Sequence, residues 1–258
     1  MRNKETSWES SGQWYNSLVG EEGHFYHQEV ILPNVLRLLN MKEGDSLLDL
    51  ACGQGILARV LPKGCTYHGV DLSPSLIHTA KQMVKRKGCA FTIADVCAPL
   101  PLSTQELFTD AAMILAAQNI ERPEFAFKEA YRYLQTDGSF ILVINHPCFR
   151  IPRQSHWGVD ESKKLQYRRV DSYMSSLNIP IQTHPGKGRS SEQTVSFHHP
   201  LSSFVQWLHK AGFLIETIEE WVSNKKSEGS CAKMENRARN EFPLFLAILA
   251  KKKPFFIE

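Results

Sequence analysis

The residues best equipped for chemistry stand at the ends of short apolar runs. Leu47–Leu50 leads straight into Ala51-Cys52-Gly53-Gln54-Gly55, so Asp49, Gly53 and Gly55 lie at a strand-to-helix turn. Glycines there let a ligand approach the backbone, and the helix that follows offers N–H groups without intrahelical partners. Gly53 to Ala58 also fits the G-x-G-x-x-G/A dinucleotide pattern, which a ligand-free tight turn can satisfy equally well. Eighteen residues after Gly53, Asp71 closes the next apolar run. A carboxylate at that place either accepts hydrogen bonds from both hydroxyls of a ribose or serves as a turn residue entering a helix. Asp49 argues against a nicotinamide dinucleotide, because a carboxylate just before the glycine turn repels a pyrophosphate and suits a ligand with a positive end.

Taken together, Asp49-Leu50-Ala51-Cys52-Gly53-Gln54-Gly55, Gly69-Val70-Asp71 and Ala94-Asp95 resemble the motifs of the class I S-adenosylmethionine-dependent methyltransferases. The resemblance covers roughly residues 25 to 145. It implies an α/β, Rossmann-like sheet of seven strands, mostly parallel with the last strand antiparallel, and helices on both faces. It also implies S-adenosyl-L-methionine as cofactor, with Ala51, Gly53 and Gly55 beneath it and Asp49 beside the loop. Asp71 would hold the ribose, Asp95 the adenine amino group, and Val96 would lie beside the base. Leu72 and Ser73 would line the adenosine, and Tyr26, an amphipathic ring near His24 and His27, would close the wall from the N-terminal side. The wider arrangement is similar to ubiquinone/menaquinone-type and related small-metabolite methyltransferases.

The elements that must position these residues can be read from periodicity. Ser46–Leu50, Thr66–Val70, Ala90–Ile93, Ala111–Leu115 and Ser139–Ile144 are apolar runs of strand length, separated by helix-period segments. That alternation predicts a parallel sheet with crossover helices. Ser73-Pro74 reads as an N-cap followed by proline at the first helical position. Pro123 opens a helix with Phe127, Ala130, Tyr131 and Leu134 on one face, which Gly138 is expected to stop. Val30–Leu39 reads as a helix interrupted near its start by Pro33, after an aromatic segment containing Trp14, Tyr15, Phe25 and Tyr26. Phe204, Trp207, Leu208 and Ala211 mark a late helix, with strands expected at Phe213–Ile218 and Leu244–Ala250 and a basic loop from Ser223 to Asn240 between them.

Open α/β sheets bind ligands at the carboxyl ends of their strands. Gln118 and Asn119 follow the fourth strand, where they either touch the cofactor's amino-acid end or the acceptor, or cap the turn. Asn145-His146-Pro147-Cys148 follows the fifth. His146 is the candidate catalytic base for an acceptor that must lose a proton, the alternative being a structural role at a His-Pro turn. The NHPC segment is not the N-P-P-[YF] motif of amino-directed nucleic-acid methylases.

The chain of 258 residues, 42% hydrophobic and 22% charged, suits a single domain with an insertion. Residues 1–40 are expected to form an N-terminal helical cap and residues 150–200 a basic insertion or lid, because the period breaks down from Pro147 to about Pro200 over a length unusual for a connection. From Arg150 to His199 there are eight basic residues (Arg150, Arg153, Lys163, Lys164, Arg168, Arg169, Lys187, Arg189) against four acids (Asp160, Glu161, Asp171, Glu192), a net +4 beside +3 for the whole chain. Trp157, Tyr167 and Tyr173 are interleaved, so an acidic or aromatic small-molecule acceptor is expected. Methylation of RNA is the alternative, supported by the insertion and by Lys225, Lys226, Lys233, Arg237 and Arg239; a non-catalytic cofactor-binding protein is a third reading. Six cysteines without a C-x-x-C pair suggest no metal site and no disulfide framework. The longest apolar run, Leu244–Ala250, is far below the roughly 18 to 20 residues of a membrane helix, and the start lacks a signal peptide's apolar core, so a cytoplasmic location is expected.

Overall fold

The computed structural model describes residues 23–105, 107–182 and 193–253. Residues 1–22 of the expected N-terminal cap, with Trp14 and Tyr15, lie outside the described residues, as do Lys187, Arg189 and Glu192 of the insertion. A π-helical turn, His27–Ile31, runs into α1 (Leu32–Leu39). Then follow β1 (Ser46–Leu50), α2 (Ile56–Val60), β2 (Thr66–Asp71), α3 (Pro74–Met83), β3 (Cys89–Ile93), β4 (Phe108–Ile114), α4 (Pro123–Tyr133) and β5 (Leu134–Asn145). Two hairpins come next, β6 (Ser155–Asp160) with β7 (Leu165–Val170) and β8 (Leu177–Gln182) with β9 (Gln193–His198). The described chain closes with α5 (Leu201–Ala211), β10 (Phe213–Trp221), α6 (Ala232–Glu241) and β11 (Phe245–Lys252).

Seven strands form one sheet in the order β10-β11-β5-β4-β1-β2-β3. The pairs from β5 through β3 are parallel, and β11 runs antiparallel to both its neighbours. The expected Rossmann-like sheet with its reversed last strand is therefore present. Because side chains alternate across a strand, each central strand feeds two cores. Leu48, Leu50, Ala111, Met113, Phe140, Leu142, Leu246 and Ile248 face α4 and α5. Leu47, Ala112, Ile141, Val143, Ala247 and Leu249 face the π-turn, α1 and α2. Burial on both faces is why these strands read as nearly continuous apolar runs.

The Ser73 cap forms as expected, its Oγ accepting from Leu76 N at 3.2 Å, and Gly212 ends α5 at φ +106°. Two expectations need correction. The helix opened by Pro123 ends at Tyr133, short of Gly138, because Leu134 is already drawn into the sheet opposite Phe108. The insertion between Pro147 and Pro200 holds two hairpins. Its Pro180 sits in β8, which a two-stranded hairpin tolerates because each of its strands is an edge. The expected basic loop before β11 contains α6, a helix whose one buried residue is Ala238. Its polar side chains leave no apolar stripe to read, and it is tied instead by Asn236, which accepts from Ser227 N at 2.7 Å and donates to Ser227 O at 3.1 Å. Among the described residues no helix is long and apolar enough to cross a membrane.

Phe127 is fully buried between α4 and the sheet, its ring 5.8 Å from that of Phe140. Truncation to Ala is expected to cost about 3–5 kcal/mol, read as a lower urea midpoint with an unchanged slope; a loss below 1 kcal/mol would show that this core can collapse around the gap.

Candidate functional site

The parallel strands all end on one edge of the sheet, and a cavity of about 950 Å³ opens there. Its floor begins at the glycine turn. Ala51 leaves β1 at φ +57°, Gly53 follows at +55°, and Gly55 caps α2 at +70°. A Cβ on Gly55 would lie 2.9 Å from the Phe91 ring, so glycine is required there both for its torsion and for space. Asp71 at the end of β2 fixes the turn from the side. Its Oδ2 accepts from Gly53 N at 2.8 Å and its Oδ1 from Ser73 N at 2.9 Å, while the carboxylate also lines the cavity. Asp95, beyond β3, holds its own loop by accepting from Cys97 N at 2.9 Å.

Of the residues expected to meet a cofactor, Ala51, Gly53, Asp71, Leu72, Asp95, Val96 and Asn119 line this cavity. Gly55 and Ser73 support it from behind, as helix cap and helix N-cap. Tyr26 lies elsewhere: its ring packs on Phe245, its hydroxyl lies 3.2 Å from Ser223 Oγ, and Lys225 covers it at 5.1 Å. Its neighbour His27 reaches the cavity instead, with Nδ1 buried and without a hydrogen-bond partner among the described residues. Burial, reinforced by His24, pushes the His27 pKa down to about 4, so the ring is neutral near pH 7.

Asp49 lies beneath the loop, 3% exposed, and accepts a hydrogen bond from Tyr67 Oη at 2.7 Å. Burial pushes its pKa up to about 7; the Tyr67 bond pulls the other way and Asp71 adds to the rise. The same burial, with Asp49 beside it, keeps the Cys52 thiol protonated.

His146 does not line the cavity. Its Nδ1 accepts from Cys148 N at 3.2 Å, which leaves the proton on Nε2, 2.6 Å from Glu220 Oε1. Burial lowers its pKa, opposed by Glu220. With both ring nitrogens engaged and its side chain 1% exposed, His146 is a poor base for a substrate and a good brace for the turn after β5, where Arg150 N donates to its carbonyl at 2.8 Å. This arrangement favours the structural alternative for His146 at the His-Pro turn.

The far wall comes from residues that sequence reading passed over. Glu121, Arg122 and Phe125 follow β4, a place the strand-end rule could have flagged. Ile181 and Ser196 arrive from the β8–β9 hairpin, and no local signal marks them. The insertion thus borders the cavity, but through small and apolar side chains. Arg168 donates to Phe149 O and Ser155 Oγ, both at 2.7 Å, and Arg169 pairs with Asp171 at 2.5 Å. Trp157 and Tyr167 are exposed away from the cavity lining, and Tyr173 Oη accepts from Leu201 N at 3.1 Å. Among the described residues no group of three or more His, Cys, Asp or Glu is placed to hold a metal ion.

Residues 48–142, the strands and turns that build this floor, match a family model described as a methyltransferase domain. Over residues 48–142 the chain carries a methyltransferase domain, built on the Rossmann-like sheet described above. A crystal structure of an S-adenosylmethionine-dependent methyltransferase from Mesorhizobium loti shares the fold of this domain protein, with TM-score 0.65 at 23% identity over 85% of this chain and 96% of that one. Sphingolipid C9-methyltransferase 1 of Gibberella zeae is 24% identical over 198 residues, 74% of this chain and 34% of that protein. An uncharacterized methyltransferase of Schizosaccharomyces pombe is 27% identical over 114 residues, 42% of this chain and 43% of that protein. The alignments thus span between a third and a half of the curated relatives' lengths. S-adenosylmethionine is the cofactor of this domain class, and the described residues fit it. Two strand-end carboxylates face the cavity for hydroxyl and amino groups, Leu72 and Val96 offer apolar walls for a base, and the Gly55 turn has no room for a Cβ.

The Asp49 carboxyl gives the methyltransferase domain a pH signature. Its folded pKa of about 7 lies above the roughly 3.9 of an unfolded aspartate, so between those values the folded state binds more protons and stability falls as pH rises. Asp49→Asn keeps an acceptor for Tyr67 and removes the titration. Its stability relative to wild type is expected to increase between pH 4.5 and pH 8, by on the order of a few kcal/mol, in urea unfolding. An equal difference at both pH values would refute the buried, protonatable state.

Proposed function

We propose that this chain is an S-adenosylmethionine-dependent methyltransferase acting on a small-molecule acceptor enclosed between the strand ends and the β8–β9 hairpin. The observation that carries this reading is a single cavity with Asp71 and Asp95 at the β2–β3 side and Ile181 and Ser196 of the insertion also on its wall. Its volume of about 950 Å³ stands at the upper end of the roughly 300–1,000 Å³ of small-molecule sites, enough for a cofactor and a small acceptor together. Bound S-adenosylmethionine supplies an activated methyl group on a sulfonium for in-line displacement by the acceptor's nucleophile.

In this reading the chain's residues chiefly bind and orient. Asp71 accepts from the ribose hydroxyls, Asp95 from the adenine amino group, and Leu72 and Val96 flank the base. Ala51, Gly53 and Gly55 shape the backbone beneath the cofactor, and Asn119 serves its amino-acid end. Asp49, Ser73 and Tyr26 act through what they hold, namely the loop, the α3 N-terminus and the N-terminal packing. A neutral His27 and the buried, unpartnered Oε1 of Gln118 supply polar contacts toward the acceptor. His146 is a positioning residue for the turn after β5.

The described residues read as one methyltransferase domain, with residues 23–40 capping and 150–182 and 193–200 covering the acceptor side. Six free cysteines support a reducing, cytoplasmic setting. The similarity to a sphingolipid methyltransferase favours a second reading, an acceptor with an apolar chain, for which Ile114, Ile120, Phe125 and Ile181 would provide the lining. RNA methylation has less support, since Arg168, Arg169 and Lys163 of the insertion are engaged within the protein.

Asp71→Ala is expected to weaken S-adenosylmethionine binding at least a hundredfold by calorimetry, because two hydrogen bonds to a charged group are worth about 1.5–3 kcal/mol each. Unchanged affinity would remove the ribose assignment. In a cell extract supplied with methyl-labelled cofactor, the wild-type protein is expected to move label into a low-molecular-weight product. Label confined to the cofactor, or found only in RNA or protein, would overturn the small-molecule reading.

A further inference from the structure

Next to the large cavity lies a recess of about 20 Å³ with which it shares Gln118, Asn145, Pro152 and Ser196. Arg150 lines this recess, at the carboxyl end of β5. Its guanidinium is 5.7 Å from the centre of the Phe245 ring, and among the described residues no carboxylate or hydrogen-bond acceptor meets it. Burial lowers its pKa, opposed by Tyr26, and Arg150 in turn lowers the pKa of Arg168. Gln118 and His199 also line the recess, and among the described residues the buried Gln118 Oε1 and His199 Nε2 meet no hydrogen-bond partner. His199 Nδ1 lies 3.1 Å from Ser176 Oγ, and burial with His198 beside it keeps the ring neutral. A half-buried cation without a counter-charge among the described residues and a buried imidazole nitrogen without a partner are both unfavourable to the fold on their own. Both needs are met by one small oxyanion, for which a guanidinium is the preferred partner.

We infer that the recess binds a carboxylate or comparable oxyanion carried by the methyl acceptor, with Arg150 as its cation and His199 Nε2–H and a donor for Gln118 Oε1 completing the contacts. The inference rests on the methyl-transfer reading. The space exceeds the roughly 10–15 Å³ needed by one water, so it takes a head group while the acceptor's body lies in the large cavity. A cofactor carboxylate has the same chemistry, but β5 stands three strands from β2, roughly 14 Å at about 4.8 Å per strand, and Pro152 and Ser196 belong to the insertion.

The test is calorimetric titration of the full chain, in the presence of S-adenosylhomocysteine, with benzoate, inorganic phosphate and the neutral benzamide. Saturable binding of benzoate or phosphate is expected, at least tenfold weaker in Arg150→Gln, partly restored in Arg150→Lys and absent for benzamide. S-adenosylmethionine affinity of Arg150→Gln is expected to stay within twofold of wild type, and Arg150→Met is expected to melt no lower than wild type. No saturable anion binding, or equal binding by wild type and Arg150→Gln, overturns the inference. A tenfold loss of S-adenosylmethionine affinity in Arg150→Gln assigns the recess to the cofactor's own carboxylate and also overturns it, as does a lower melting temperature for Arg150→Met, which would make the arginine structural. Anion binding by a protein that ignores S-adenosylmethionine would remove the methyl-transfer reading while leaving an anion site, so the two failures are distinct.

Discussion

A single carboxylate joins the parts of this site. Asp71 stands where β2 ends, and its two oxygens accept from the backbone of Gly53, on the loop after β1, and of Ser73, at the entry to α3. It thereby couples two neighbouring strand ends and the helix between β2 and β3. Backbone N–H groups at a glycine turn and a helix start are obligatory donors, and leaving them unmet under a ligand would be costly. The same carboxylate faces the cavity, so the group that organises the loop is also presented to whatever binds over it.

Beneath this surface layer is a second, buried one. Asp49 and Tyr67 pair under the loop, and Gly69 on β2 approaches so closely that a Cβ there would stand 2.7 Å from Cys52 Sγ. The loop is therefore packed from below as well as tied from the side, which fixes its positive-φ residues without help from a ligand. A carboxylate whose charge is suppressed by burial also responds to a cation arriving above it, since an opposite charge favours its ionised form. Electrostatics and packing thus favour the same occupant, a ligand with hydroxyl and amino groups and a positive centre.

The other side of the cavity follows a different logic. The turn after β5 is held with His146 between Cys148 N and Glu220, and the Phe149 ring lies tilted against it, 4.8 Å between centroids. From that base the hairpins fold back so that Pro152, Ile181 and Ser196 reach the cavity. Arg168 and Arg169 are engaged in internal contacts and Lys163 pairs with Asp160, so the insertion's net charge says less about a partner than where each cation is placed.

The amino-acid sequence by itself determined the sheet and its ligand-facing edge. Two-sided burial makes strands such as Ser46–Leu50 and Phe245–Lys252 largely apolar, and helix caps at Ser73 and Gly212 depend on residues adjacent in the chain. Gly53, Gly55, Asp71 and Asp95 were legible for the same reason: each acts within a turn or strand end set by its neighbours. Only the tertiary structure decided that Tyr26 packs away from the cavity while His27 enters it, that His146 is sealed by Glu220 74 residues away, and that Ile181 and Ser196 become cavity wall. The polar helix Ala232–Glu241 and the Pro180-containing hairpin were hidden because their stability comes from contacts with distant segments and side-chain clasps, which leave no period in the sequence.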